Sequence, residues 1–258
     1  MLHIKHIFIY PVKSLPGVAV ESSEIDKKGL INDREWMLVD PNGNFITQRK
    51  FPQMTHIVAE LSQNKLGFNF HGQKIDINNE DFSIPGKATL WDDIVDVLQT
   101  THQVNTFLSD ILKTKCSLVK IHPSAKRSTT LNNGFVKLND RQPLLIVNTN
   151  SLNAFNNHLA NPITFSNFRP NIVYDGKTPF EEENWEHFNI GNLKMKGEGA
   201  CKRCKMINID QENGLANPLI LKTLGEAQKG KSKGIPFGLL ASPLNEGSIK
   251  INDIIEVL

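Results

Sequence analysis

Hydrophobic residues along the first hundred positions recur in short runs rather than at helical spacing. Ile7-Phe8-Ile9-Tyr10, Glu35-Trp36-Met37-Leu38-Val39, Phe45-Ile46-Thr47, His56-Ile57-Val58-Ala59 and Ile94-Val95-Asp96-Val97 each predict a strand. Asp40-Pro41-Asn42-Gly43-Asn44 and His71-Gly72 lie between such runs and supply the turn residues of hairpins in an antiparallel sheet or barrel. No βαβ alternation interrupts them.

The period changes after Thr101, where Val104, Phe107, Leu108, Ile111 and Leu112 share one helical face and predict a helix ending near Lys115. The polar stretch from Ser124 to Asn133 has no apolar period and reads as a loop or a boundary between two halves. Beyond it, Leu144-Leu145-Ile146-Val147 predicts a buried strand, followed by a helix aligning Leu152, Phe155 and Leu159, with Asn150 or Ser151 as its cap. Further strands are expected at Ile172-Val173-Tyr174, Leu193 to Lys196, Lys205 to Asp210 and Ile249 to Leu258, with a turn at Gly197-Glu198-Gly199. Asn217-Pro218 opens another helix, a capping side chain followed by a proline suited to the first turn. The pattern is mainly β with some α (α+β), divided into an N-terminal region, 1–120, and a C-terminal one, 121–258.

Composition narrows the functional classes. The 258 residues suffice for one large domain or two small ones. Their 29 basic and 27 acidic side chains leave a net charge of +2, so no global field favours nucleic acid or an anionic membrane. No stretch is long and apolar enough for a signal peptide or a membrane span, and three cysteines are too few for a disulfide framework. A cytoplasmic, reducing setting is expected.

Cys201-Lys202-Arg203-Cys204 is the most pointed chemical feature. Two thiols at this spacing can share a zinc ion, exchange a disulfide or stand inert, and zinc would need further nitrogen or sulfur ligands that no second C-x-x-C provides. Redox exchange expects a helix N-terminus after the motif, whereas the residues following Cys204 read as strand. Lys202 and Arg203 favour a thiolate, and a soft sulfur donor suits a redox metal. Tyr10-Pro11-Val12-Lys13-Ser14-Leu15-Pro16-Gly17 places Lys13 and Ser14 on a turn at a strand end, where an ammonium and a hydroxyl suit a phosphate monoester, or form only a solvated surface turn. Arg34 and Arg169 also lie at element ends, where guanidinium forks can grip phosphate or ring acceptors, and Arg49 is a weaker candidate. None of the eight histidines forms a metal-spaced set, and no nucleophile elbow, phosphate loop or dinucleotide fingerprint occurs.

In order along the chain, Tyr10-Pro11-Val12-Lys13-Ser14, Asp33-Arg34-x-Trp36, Thr47-Gln48-Arg49, Asn167-Phe168-Arg169-Pro170-Asn171, Cys201-x-Arg203-Cys204 with Asp210 and Gly214, and Pro236-Phe237-Gly238 resemble the successive signatures of the MOSC proteins, which include the mitochondrial amidoxime-reducing components and their bacterial relatives. The resemblance implies an N-terminal β-rich or barrel domain packed on a MOSC β-barrel. It further implies a molybdenum–molybdopterin cofactor ligated by Cys204 and held by Lys13, Ser14, Arg34, Arg169 and Arg203. It implies reduction of N–O bonds in N-hydroxylated bases or amidoximes, with electrons from a separate flavin or iron–sulfur protein because no ferredoxin-like tail is present. A cofactor or sulfur carrier without its own reductase activity is the alternative, and no lysine motif for pyridoxal phosphate is recognisable that would make a complete cofactor sulfurase. Two departures stand out: Asp140-Arg141-Gln142-Pro143 replaces the usual small hydroxyl residues before the proline, and Leu240 stands where a polar or aromatic residue is usual.

Overall fold

The computed structural model describes residues 1–62, 65–129, 134–230 and 234–258. Its largest sheet closes into a barrel of seven strands. Leu2–Ile9 pairs antiparallel with Ile172–Asp175, which runs parallel to Leu144–Asn148. That strand pairs with Pro236–Pro243, then Leu193–Lys202, His187–Ile190 and Ile254–Val257 follow, all antiparallel. Ile254–Val257 returns to Leu2–Ile9 and removes the free edge. The one parallel pair is joined through the helix Thr149–Asn156, the long connection that parallel strands require.

The first strand, although it lies before the expected boundary at 120, is therefore part of the C-terminal sheet. Ile4, Ile7 and Ile9 fill the barrel core beside Ile146, Tyr174, Phe188, Leu239 and Ile255. Ser22–Asp26 extends the same link by pairing with Gly247–Lys250 on one side and Gly29–Leu30 on the other in a small sheet.

The rest of the N-terminal half is a second β-rich body. Trp36–Val39, Ser117–Ile121, Asp93–Gln99 and Ile84–Leu90 form a four-stranded antiparallel sheet. A meander of Val58–Ser62, Lys65–Phe70 and Gln73–Asn78 packs near it, and the helix Val104–Leu112 buries Val104, Leu108 and Leu112 against both. His71 and Gly72 make the tight turn of the last hairpin with φ of 50° and 86°, as their residue types predict. Among the described residues, no helix is long and apolar enough to cross a membrane.

Several expected elements come out differently. Phe45 makes only an isolated bridge to Val39. The cap of Thr149–Asn156 is Asn148, whose side chain accepts from the Asn150 N–H, rather than Asn150 or Ser151. The expected C-terminal strand is split into Gly247–Lys250 and Ile254–Val257 by a turn with Asn252 at φ 72°. The expected loop from Ser124 contains the short pair Arg127–Ser128 with Phe135–Val136, and its residues 130–133 lie outside the described set.

The largest correction surrounds the cysteine pair. Gly197-Glu198-Gly199 is not a turn: the strand runs unbroken from Leu193 to Lys202 with an irregular register. Gly197 is needed there because a Cβ would lie 1.8 Å from the Trp185 carbonyl. Lys205 to Asp210 is not a strand either, since Lys205–Asn208 is a single 3-10 turn beginning directly after Cys204. The reason lies in burial, because Ile207, Asn208 and Ile209 are buried in succession rather than alternately.

Candidate functional site

Tyr10 leaves the end of the first barrel strand with its ring 2% exposed, and two guanidinium groups lie over that ring. The Arg34 carbon Cζ is 4.1 Å from the ring centroid and that of Arg169 is 4.4 Å away. Arg34 comes from the approach to the Trp36 strand, and Arg169 from the end of the short helix Phe165–Phe168 in the C-terminal half. An Arg34 Nη2 donor also reaches the Arg169 carbonyl at 3.4 Å.

Arg203 joins the group from the strand end before Cys204. Its Nη2 donates to the Phe168 carbonyl at 2.5 Å and its Nη1 to the Cys201 sulfur at 3.1 Å. Phe168 is stacked on Phe237 with ring centroids 3.8 Å apart, which fixes the turn that carries Arg169. Asn167 ties this turn to the residues after Cys204 by donating to the carbonyls of Ile207 and Ile209. The arginine turn and the cysteine turn are thus one braced unit.

Three of the expected site residues hold left-handed backbone: Ser14 at φ 67°, Arg34 at 49° and Arg169 at 58°. Non-glycine residues in this region carry of order 1 kcal/mol or more of strain each, and such strain collects where side chains are aimed for a task. In Arg169 the left-handed conformation ends the helix ahead of Pro170 and turns the guanidinium back toward Tyr10.

Charge is not balanced within this cluster. Asp33 is buried and binds Arg34 Nη1 through both oxygens at 2.7 Å, while also accepting from the Tyr10 N–H at 2.8 Å. Arg169 Nη2 finds the Leu15 carbonyl at 2.7 Å, but Arg169 Nη1 and Arg203 Nε are buried without a hydrogen-bond partner. Burial pushes the Arg169 guanidinium down to about 10, with neighbouring Arg34 adding repulsion against the opposing pull of Tyr10. Burial also lifts the Tyr10 phenol to about 12 despite the nearby arginines, so at neutral pH the ring they cover is uncharged. Donors left unpaired inside a protein cost roughly 1–3 kcal/mol each, which marks this as a place built for an acceptor from outside the chain.

Lys13 is placed differently. Its Nζ donates to the Leu138 carbonyl at 2.9 Å and to Asp140 Oδ1 at 2.5 Å. Burial pushes the Lys13 ammonium down, and Asp140 partly opposes that. Ser14 is buried next to it in the chain. The sequence reading had no role for Tyr10, Asp33, Asp140, Asn167 or Phe168; only their adjacency to the arginines and Lys13, or to the substituted Asp140-Arg141-Gln142 stretch, hinted at one. Arg49 lies outside the cluster, 4.8 Å above the exposed ring of Trp91.

Cys204 is exposed, Cys201 half-buried, and both are free thiols. Among the described residues no group of three or more His, Cys, Asp or Glu side chains is placed to hold a metal ion, so a zinc site completed by further protein ligands has no support. A metal that arrives inside a larger anionic group needs fewer protein ligands. One exposed thiol, three clustered guanidiniums, two of them with an unpaired donor, and a lysine fit such a group. A cavity of about 330 Å³, lined by His6, Phe8, Phe165, Arg169 and Gln211 among others, opens beside Tyr10.

Comparison with known proteins shows which domains the chain contains. Residues 1–115 match the MOSC N-terminal beta barrel domain, and residues 133–256 match the MOSC domain. A molybdenum cofactor sulfurase of Oryza sativa subsp. japonica is 31% identical over 93% of this chain, which spans only 32% of that protein. Mitochondrial amidoxime reducing component 2 of Bos taurus is 29% identical over 97% of this chain and 81% of its own length. The chain thus spans about a third of the sulfurase it matches. Among solved structures, the YuaD protein of Bacillus subtilis covers 100% of this chain and 96% of its own at a TM-score of 0.50 and 13% identity, a likeness of fold alone.

Proposed function

Starting from the fact that this chain belongs to the MOSC family, with both domains of that family matched in order, we propose that it holds a molybdenum–molybdopterin cofactor and reduces N–O bonds of N-hydroxylated compounds. The observation that carries the reading is the pair of buried, unpartnered donors, Arg169 Nη1 and Arg203 Nε, in the same braced unit as Cys204. When bound, the cofactor would supply two-electron redox chemistry. The protein's own residues would supply the metal ligand, the binding contacts and the positive wall.

Cys204 offers the thiolate ligand, exposed at the start of its turn where a group from outside the chain can reach it. Arg169 and Arg203 present their free donors to acceptor atoms of the pterin, and Arg34, held by Asp33, completes the positive wall. Lys13 and Ser14 are assigned the phosphate. Tyr10 keeps the wall positive, because a phenol held neutral adds no competing charge. The net change is R–N–OH plus two electrons and two protons giving R–N–H and water; the electrons are assigned to a separate flavin or iron–sulfur protein and the protons to solvent. The free thiols fit a reducing compartment such as the cytoplasm.

The likeness to molybdenum cofactor sulfurases favours a second reading, a carrier of the cofactor or of sulfur with no reductase activity of its own. Protein made in a molybdate-replete host separates them. Near-stoichiometric molybdenum and pterin, with conversion of an N-hydroxylated panel by chemically reduced protein, is the expected result. Cys204→Ser should abolish that conversion while keeping pterin. Bound molybdenum with no conversion would favour the carrier, and zinc in place of molybdenum would end both readings.

A further inference from the structure

Lys13, assigned to phosphate above, already has an anion on it. Its side chain is 8% exposed, whereas the Asp140 side chain that bonds it is 61% exposed. The ammonium therefore meets solvent mainly through the carboxylate that covers it. Asp140 is held from a second direction by the Trp91 indole, whose Nε1 donates to the same Oδ1 at 2.8 Å. Trp91 itself stands on the tight turn between Ile84–Leu90 and Asp93–Gln99 at φ 56°, packed edge-on against Phe45 with centroids 4.7 Å apart.

We propose that Asp140 is an internal stand-in for the ligand's phosphate: it occupies Lys13 in the empty protein and swings out, releasing Trp91, when a phosphate group takes its place. The inference rests on Lys13 as the phosphate lysine. Its physical basis is competition of two anions for one enclosed cation. Although pairing with the enclosed ammonium costs the Asp140 carboxyl part of its hydration, Lys13 and the Trp91 N–H hold it well below the usual carboxylate range, so the stand-in is charged at neutral pH. Asp140 also spares the empty protein an uncompensated buried ammonium, which is costlier than the pair itself. Its exposure leaves room to move outward. The bond is a tax on binding, because apparent affinity falls by the fraction of molecules in which Lys13 is uncovered.

The test uses full-length protein freed of cofactor and inorganic phosphate as the probe, following tryptophan emission and the thermal midpoint. Asp140→Asn should lower the thermal midpoint without phosphate, bind phosphate at least roughly tenfold tighter than the native protein, and recover its midpoint as phosphate is added. Lys13→Met should lose the phosphate response in either background. Trp91 is the tryptophan whose indole bonds Asp140, so Trp91→Phe should abolish the emission change while the thermal response persists. Phosphate affinity in Asp140→Asn within about twofold of native would overturn the proposal. So would an emission change that survives Trp91→Phe, which keeps the test decisive even should the Asn variant fold poorly. Failure here with normal molybdenum content would remove only the stand-in; the reverse pattern would remove the cofactor and leave a phosphate-responsive pair.

Discussion

The barrel interior and the seam of guanidiniums over Tyr10 are both buried, and they are completed in different ways. Inside the barrel, Ile4, Ile146, Phe188, Leu239 and Ile255 meet one another and ask nothing of any other molecule. At the seam, the buried carboxylate of Asp33 pairs with Arg34, and one nitrogen each of Arg169 and Arg203 finds no partner. The first region is finished by folding; under the proposed function the second is finished by a ligand. The contrast separates residues that make the protein stable from residues that make it useful.

The sharpest way to break that contrast is a large truncation in the barrel. Phe188→Ala should cost about 3–5 kcal/mol in urea unfolding, as for other large aromatic deletions in packed cores, with cofactor content per folded molecule unchanged. A loss of cofactor without loss of stability would show that barrel and seam are not separable.

Alkaline titration compares the regions through the protein's two tyrosines, Tyr10 at the seam and Tyr174 in the barrel. Burial raises both phenols, Tyr10 to about 12, and Tyr174 further still with Glu182 and Glu181 beside it. A raised phenol favours the folded state fully below the unfolded value near 10, and that stability is lost as pH rises through the folded value. Native protein should therefore show no phenolate absorbance at pH 10.5, and its stability should fall by about 1.4 kcal/mol per tyrosine for each pH unit above 10. Tyr10→Phe and Tyr174→Phe should each flatten the slope by one tyrosine's share. Phenolate absorbance in protein that is still folded at pH 10.5 would refute the burial assigned to them.

The smallest effect on stability is expected at Arg169. Exchange for Met removes the charge with its desolvation cost and its unpaired nitrogen, while losing the bond to Leu15, so unfolding should change by less than about 1 kcal/mol. Pterin and molybdenum retention should nevertheless drop severalfold and become more sensitive to salt. Unchanged occupancy would dissociate Arg169 from the cofactor.

Much of this was legible in the chain itself. The barrel strand at 144–147 announces itself as an uninterrupted apolar run, the hairpin at His71-Gly72 by its turn chemistry, and the helix after Gln103 by its period. Lys13, Arg34 and Arg169 were each marked by standing at the end of an element, and Arg203 by its place between the two cysteines. What the pattern could not convey is convergence: nothing local in Tyr10 says that arginines 34 and 169 will cover its ring. Local rules also failed around Gly197 and Cys204. A glycine pair there reads as a turn, and only the Trp185 carbonyl pressing on Gly197 explains a strand that tolerates no side chain. Asp140 was noticed as a departure from its relatives, but its partner Lys13 lies far away along the chain, beyond the reach of any window of sequence.

The first strand, Leu2–Ile9, pairs with both Ile172–Asp175 and Ile254–Val257, so the barrel's opening and closing staves lie far apart along the chain. During synthesis those eight residues must wait until Ile254–Val257 has left the ribosome before their last neighbour is available. Closure of this kind is rich in distant pairings and correspondingly slow, and until it happens an apolar β-edge is open to other nascent chains. Yield in a cell should thus depend on chaperone supply and growth temperature more than the settled packing of the finished molecule would suggest.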